Sequence, residues 1–256
     1  MPKDDFKQGV LSVVIPAHNE EGHIAETVGL IIDKLNAEKI DHEILVVNDN
    51  SRDNTEVILK QLVEKYPSFR YVNNEPPNGF GFAVIKGLNS FSGEYVAVMM
   101  ADNSDDPADL VKFYRKISEG YDCVFGTRFH ESSKIVDYPF IKLILNRFGN
   151  AFIQLLFMHP YNDFTNAFKM FRRSTINGLR PFLSQHFNLT VELPLKAVIR
   201  GYSYTVVPNN WYNRKEGVSK FKIRELGSRY MFIVLYCFLE RLLLSQDFNI
   251  KKLQSK

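Results

Sequence analysis

Residues 11–21 read LSVVIPAHNEE, and residues 44–53 read ILVVNDNSRD. Each is a short β-branched apolar run that breaks into a polar, acidic cluster. An unbroken apolar run of this length suits a strand covered on both faces, as in parallel sheets. Between them, Ile24, Val28, Ile31, Ile32 and Leu35 recur at helical spacing, which predicts a helix over 20–35. Strand, helix, strand is the unit of a parallel α/β sheet. In open sheets of this kind ligands bind outside the carboxyl ends of the strands. The acids that follow these two strands therefore mark where chemistry is expected.

The same alternation continues outward. Helices are predicted over 55–66, ended by Pro67, over 82–91, and over 107–118 with Pro107 in the first turn. Strands are predicted over 69–72, 95–100 and 123–125. The second half changes character, with a long apolar helix over 139–158, a strand over 168–171, a helix over 189–200, a strand over 204–207 and a last helix over 223–245. The simplest division is a catalytic domain over 1–222 and an apolar C-terminal helix with a basic tail over 223–256.

The totals suit this plan. The chain has 256 residues, 45% hydrophobic and 24% charged, enough for a sizeable core. A net charge of +3 is too small to imply nucleic acid, and none is expected as a partner. Cys123 and Cys237 lie in apolar runs without metal-ligand spacing and read as buried free thiols, which fits a reducing compartment. The N-terminus, MPKDDFKQG, lacks the apolar core of a secretory leader. No segment reads clearly as membrane-spanning: the run over 230–239 is interrupted by Glu240 and Arg241, short of the roughly 20 apolar residues a span requires.

Three acids at strand ends, Glu20, Asp49 and Asp102, are candidates to line one crevice, where carboxylates accept hydrogen bonds from a base or ribose or ligate a hard cation. Asp53 reads instead as a helix cap. Residues 98–107, VMMADNSDDP, crowd Asp102, Asp105 and Asp106 together, which calls for a counter-charge such as a metal ion on a diphosphate. Asn78-Gly79-Phe80-Gly81 is a glycine turn that could admit a ligand close to the backbone. On the basic side, Arg128 follows a strand in FGTRF, and residues 213–220, NRKEGVSK, form a basic loop. Cations placed there would stabilise a departing diphosphate.

Taken in order, VVIPAHNEE, VVNDNSRDNT, NGFGFAVIKGL, MMADNSDDP, FGTRF, DFTNAFKMFRRS and NRKEGVSKF resemble the family 2 glycosyltransferases of GT-A fold. Within these the chain is most similar to dolichol-phosphate mannosyltransferases and their polyprenyl-phosphate relatives, over residues 10–222. The resemblance implies a mostly parallel central sheet flanked by helices. It implies inverting transfer of a hexose from a nucleotide-diphosphate sugar, GDP-mannose or a UDP-sugar, with a divalent cation, Mg2+ or Mn2+. Pro16, His18, Glu20 and Asp49 would bind the nucleoside. Asp102, with Ser104, would hold the metal and donor diphosphate. Arg128, with Lys142 and Asn146, would bind an acceptor phosphate. Arg214 and Lys220 would neutralise the leaving diphosphate, and Asp163, Thr165 and Asn166 would lie near the sugar.

One position departs from the family pattern. Met100 stands where an Asp-x-Asp pair would begin, and a thioether is a poor ligand for a hard cation, so Asp105 or Asp106 would have to compensate.

The acceptor decides the mechanism. A lipid monophosphate is already anionic and needs positioning by cations. A glycan hydroxyl needs a general base, for which Asp105, Asp163 or Glu192 are the candidates. A non-catalytic nucleotide-sugar-binding protein is a third reading. A nucleotidyltransferase ranks low, because no glycine-rich basic loop follows the first strand. The apolar helices over 139–158 and 223–245 combine large apolar residues with cations, as interfacial helices do. The expectation is a cytoplasmic protein, peripheral at the cytosolic membrane face, or one that uses the last helix to form a homo-oligomer.

Overall fold

A computed structural model describes residues 6–213 and 223–243. In chain order the elements are β1 (Lys7–Ala17), α1 (Ile24–Ala37), β2 (His42–Asn48), α2 (Thr55–Lys65), β3 (Phe69–Asn73), α3 (Phe80–Ser90), β4 (Gly93–Val98), α4 (Pro107–Ser118), β5 (Cys123–Thr127), β6 (Ile135–Val136), α5 (Phe140–Phe157), β7 (Lys169–Arg172), α6 (Arg173–Gly178), α7 (Leu189–Ile199), β8 (Tyr204–Pro208), β9 (Trp211–Tyr212) and α8 (Ile223–Leu243). Seven strands form one sheet in the order β3-β2-β1-β4-β7-β5-β8. The sheet is mostly parallel, but β7 runs antiparallel to both β4 and β5. The short strands β6 and β9 form a second, parallel pair.

The strand pleat sorts the core into two layers. Val13 and Ile15 face a cluster with α1, α2 and α4 that includes Ile24, Val28, Leu59 and Leu110. Val14, Leu45 and Val47 face the opposite cluster, built on α3, α6, α7 and one side each of α5 and α8. Every apolar position used to predict α1 is buried: Ile24, Val28, Ile31, Ile32 and Leu35. Each such side chain contributes roughly 1.5–3 kcal/mol of transfer free energy. Cys123 and Cys237 are free and buried, as expected.

Several boundaries move for local reasons. Helix α1 starts at Ile24 rather than near Glu20, because Asn19 takes a left-handed φ of 57° and the Glu20 amide donates to Thr55 Oγ1 at 2.9 Å. Strand β4 ends at Val98, because the Met100 amide leaves the ladder and donates to Asp105 Oδ2 at 3.0 Å. Proline at the start of α4 is where it was expected, with Asp106 capping through the Ala108 amide.

Candidate active site

The chain runs β1, β2, β3 in one direction across the sheet and then returns to place β4 on the other side of β1. Strand order therefore reverses at β1, the point at which open α/β sheets bind ligands. The β1–β4 ladder ends at Val14 and Val98, whereas β1 continues beside β2 through Pro16 and Ala17. Buried Pro16, which has no amide to donate, occupies the part of β1 that has lost its β4 neighbour.

Three loops leave this end of the sheet, and each turns through an asparagine in the left-handed region: Asn19, Asn50 and Asn103, with φ of 57°, 56° and 58°. Asparagine tolerates that conformation better than most residues. The residues just before them are His18, Asp49 and Asp102, all candidates from the sequence. One backbone device thus presents a polar side chain at the end of β1, of β2 and of β4.

On the β2 side, exposed His18 donates from Nδ1 to the Asp49 carbonyl at 2.7 Å. Half-buried Glu20 follows in the turn before α1. Asp49 is 5% exposed, and its carboxylate accepts from Asn74 Nδ2 at 2.7 Å, Asn78 Nδ2 at 3.1 Å and the Gly79 amide at 2.8 Å. It therefore anchors the glycine turn to the end of β2. Gly79 has φ of 138°, and a Cβ on Gly81 would collide with the Gln185–His186 backbone. Close packing of protein on protein accounts for Gly81. Asp53 receives the Thr55 and Glu21 amides at 3.0 and 3.2 Å, one residue before Asn54, which holds the N-cap position of α2 in place of the expected Asp53.

On the β4 side, the loop over 99–106 is held from both flanks. Thr27 donates its hydroxyl to the Ala101 carbonyl at 2.8 Å, and the Tyr212 amide donates to the Ser104 carbonyl at 3.0 Å. Asp102 is half-buried, and its Oδ1 accepts the Ser104 amide at 3.2 Å. Ser104 is buried. Asp106 caps α4, and Asp109 pairs with Lys112 at 2.7 Å. Asp105 differs from its neighbours. It is 7% exposed, and burial, reinforced by the charges of Asp102 and Asp109, pushes its carboxyl up to about 7. Of the two acids named to compensate for Met100, Asp106 is taken up by the cap of α4, and Asp105 is the buried one whose charge Asp102 opposes.

The donor set suits a hard divalent cation that binds one or two carboxylates and completes its shell with phosphate oxygens and water. Asp102 and Asp105 are the oxygens that would hold it, and the local surplus of negative charge is what such an ion would relieve. Among the described residues no group of three or more His, Cys, Asp or Glu is placed to hold a metal without such help.

The basic flank is built around a buried pair. Arg128, 7% exposed, donates through its amide and Nε to Asp163 Oδ2, both at 2.9 Å, and through Nη2 to Asp163 Oδ1 at 2.7 Å. Asp163 is fully buried. Nη2 also reaches Thr165 Oγ1 at 3.3 Å, and Asn146 and Asn150 of α5 donate to the same hydroxyl at 2.7 and 3.1 Å. The Lys142 ammonium lies 5.6 Å from the Tyr138 ring and 5.8 Å from the Trp211 ring. Arg128 is near enough to Asp105 to lower its pKa, so the acidic loop and the basic cluster adjoin. Asn166 bonds to the Gly126 carbonyl and to Asn209, a buried packing role. Glu192 is fully buried, receives the Leu183 and Ser184 amides and pairs with Lys196. Arg214 and Lys220 lie outside the described residues.

Helix α5 has two faces. Asn146 and Asn150 turn inward to Thr165, while Phe140, Ile141, Phe148, Leu155 and Met158 are 70–83% exposed. It is the described helix that is long and apolar enough to cross a membrane by length and composition, with 17% of its residues buried, although no segment read clearly as a span from residue types alone. Tyr138 and Asn150 belong to the basic cluster and stood in none of the motifs. For Asn150 the available signal was its spacing of four from Asn146 on an otherwise apolar helix, which stacks the two on one face.

Comparison with known proteins agrees with this geometry. Residues 12–179 match the profile described as Glycosyl transferase family 2. A dolichol-phosphate mannosyltransferase of Pyrococcus furiosus is 29% identical over 218 residues, covering 83% of this chain; the chain spans 59% of that relative's length. A polyprenol monophosphomannose synthase of Mycolicibacterium smegmatis is 27% identical over 233 residues, covering 85% of this chain and 86% of the relative. Among solved structures, glucosyl-3-phosphoglycerate synthase from Mycobacterium tuberculosis in complex with UDP superposes with a TM-score of 0.65 at 17% identity, covering 91% of this chain and 79% of the other. The same enzyme with Mn2+, UDP and glucosyl-3-phosphoglycerate gives a TM-score of 0.66 at 18% identity, with the same coverage. The expected GT-A-type fold, with its mostly parallel sheet between helical layers, is the one observed. The chain belongs to glycosyl transferase family 2.

Proposed function

We propose that this chain is an inverting glycosyltransferase that moves a hexose from a nucleotide-diphosphate sugar, GDP-mannose or a UDP-sugar, to a polyprenyl or dolichyl phosphate at the cytosolic face of a membrane. The observation that carries the reading is the two-faced α5. Its outer face offers apolar side chains suited to a bilayer interface, and its inner face bonds to the cluster around Arg128. A lipid lying against the outer face would bring its phosphate to the inner one. Interfacial binding suits α5 better than spanning, because a span would strip Asn146 and Asn150 from Thr165 and leave them unsatisfied in hydrocarbon.

The nucleoside would lie over the ends of β1 and β2, against Pro16, His18 and Glu20, with Asp49 holding the glycine turn in place. Asp102 and Asp105 would hold Mg2+ or Mn2+ on the donor diphosphate, where the ion supplies neutralising charge. The phosphate acceptor is itself the nucleophile, so the site has to orient an anion rather than remove a proton. Two of the three base candidates suit that demand poorly as bases: Asp163 is locked to Arg128, and Glu192 to Lys196. The Arg128–Asp163 pair is neutral overall, so Lys142, Arg214 and Lys220 would supply net positive charge. Names of similar proteins support the acceptor class: the two relatives are a dolichol-phosphate mannosyltransferase and a polyprenol monophosphomannose synthase.

One observation favours a second reading, transfer to a glycan hydroxyl. Asp105, pushed up to about 7, has the proton affinity of a general base. A panel assay separates the two. Purified protein receives several nucleotide sugars, with and without polyprenyl phosphate in vesicles, and lipid-linked product is measured. Lipid-linked sugar is the expected product; transfer only to a sugar hydroxyl defeats the proposal. In the membrane arm, Phe148→Glu with Leu155→Glu abolishes vesicle binding but spares transfer to a short water-soluble isoprenyl phosphate. Unchanged vesicle binding would remove α5 as the docking face.

A further inference from the structure

Tyr138 sits between β6 and α5, just after Asp137, whose φ of 55° turns the chain back toward the basic cluster. Its ring is held on several sides. The Trp211 ring is 4.7 Å away, centre to centre, the Lys142 ammonium 5.6 Å, and the Arg128 guanidinium carbon 5.7 Å. Its hydroxyl oxygen accepts from Asn146 Nδ2 at 3.5 Å. An amide nitrogen is a pure donor, so the phenol oxygen is the acceptor in that bond. Its own O–H proton is left to point elsewhere, and among the described residues none is recorded as accepting it. Burial raises the phenol above its ordinary value, so that proton is present at neutral pH.

The ring also ties the basic cluster to the acidic loop. Trp211 forms an antiparallel bridge with Asp105, and the next residue, Tyr212, donates its amide to the Ser104 carbonyl. The Tyr138–Trp211 pair therefore stands between the loop of Asp102 and the cluster of Arg128. Among the described residues, an anion entering at that wall would meet in the Tyr138 hydroxyl an O–H whose proton has no acceptor in the cluster.

We propose that the Tyr138 hydroxyl donates a hydrogen bond to the phosphate of an isoprenyl monophosphate acceptor and thereby selects phosphate over alcohol. Asn146 acts on it as a positioning residue, since its N–H occupies a phenol lone pair, and the Arg128 guanidinium, 5.7 Å from the ring centre, places positive charge beside it. This inference rests on the lipid-phosphate reading of the site. It concerns binding of the acceptor, and no bond is made or broken by the tyrosine.

Trp211 is the single tryptophan of the chain, and its ring packs at a tilt against Tyr138, so its emission reports ligand at this wall. The full-length protein is titrated with geranyl phosphate and, separately, with geraniol, with fluorescence read out as wild type and as Tyr138→Phe. This variant removes only the hydroxyl and keeps the ring contact. Wild type binds the phosphate more tightly than the alcohol. In Tyr138→Phe the phosphate Kd rises roughly 10- to 100-fold, as for loss of a hydrogen bond to a charged group, while the alcohol Kd stays the same. Donor KM and donor hydrolysis without acceptor also stay the same, which a general loss of structure would not allow. An unchanged phosphate Kd in Tyr138→Phe overturns the inference and leaves the lipid-phosphate reading standing. Equal affinity of wild type for phosphate and alcohol defeats the acceptor reading itself.

Discussion

Asp163→Ala is the sharpest test of the basic cluster. The Asp163 carboxylate is fully buried and accepts three bonds from Arg128, at 2.9, 2.9 and 2.7 Å, while the Arg128 side chain is 8% exposed. Removing one member of such a pair strands the other charge away from water, a loss of about 3–5 kcal/mol. In a chain of this size each kcal/mol moves Tm by about 2–4 °C, so Tm should fall by roughly 6–20 °C. Calorimetry and urea unfolding both read this. The double variant Arg128→Met with Asp163→Leu removes both charges at similar volume and should recover at least half the loss. On the proposed function it should still fail in transfer to lipid phosphate, because the cation assigned there to orient the phosphate is gone. A single variant within about 1 kcal/mol of wild type would mean the pair behaves as a solvated surface bridge, and the account of a desolvated anchor would be wrong. The same conclusion follows if the double variant is no more stable than the single one.

Gly81→Ala forces a methyl into the Gln185–His186 backbone and should cost about 1–3 kcal/mol in urea unfolding, with a raised donor KM because the turn that Asp49 anchors is displaced. Lys169 is fully buried among carbonyl partners, and burial lowers its ammonium from 10.5 to about 7. The unfolded chain then binds more protons than the native one between about pH 7 and 10.5, so this group makes stability rise with pH across that window. The slope is at most about 1.4 kcal/mol per pH unit; Lys169→Met should flatten it, and an unchanged slope from pH 7.5 to 9.5 would refute the assignment.

Much of the candidate site at the ends of β1 and β2 was legible in the sequence. The apolar runs over 11–15 and 44–47 are strands, and the five apolar positions of α1 are buried, because periodicity records which face meets the core within a window of a few turns. The acids after those strands were found for the same reason, since a strand end is a local event. The repeated Asp-Asn-Ser of residues 49–51 and 102–104 also carried a readable signal: an asparagine suited to left-handed φ follows each candidate acid. The cluster around Arg128 was harder. Strands β6 and β9 are two residues each and exist by pairing with one another across about seventy-five positions, and the bridge that joins Trp211 to Asp105 spans about a hundred. Strand β7 reads as an ordinary strand, and nothing within it specifies that it runs antiparallel between β4 and β5.

Residue types and their spacing by themselves determined an α/β chain with acids at its strand ends and a family 2 pattern of motifs. The tertiary structure alone decided what those charged groups do in the free protein: Arg128 is neutralised by Asp163, Glu192 by Lys196, and Asp105 is buried with no ion-pair partner among the described residues. Periodicity reports burial of a face, which is a property of neighbours in the chain. Charge balance depends on which side chains meet after folding, and Arg128 and Asp163 are brought together from 35 positions apart by the packing of β5 against the turn that follows α5.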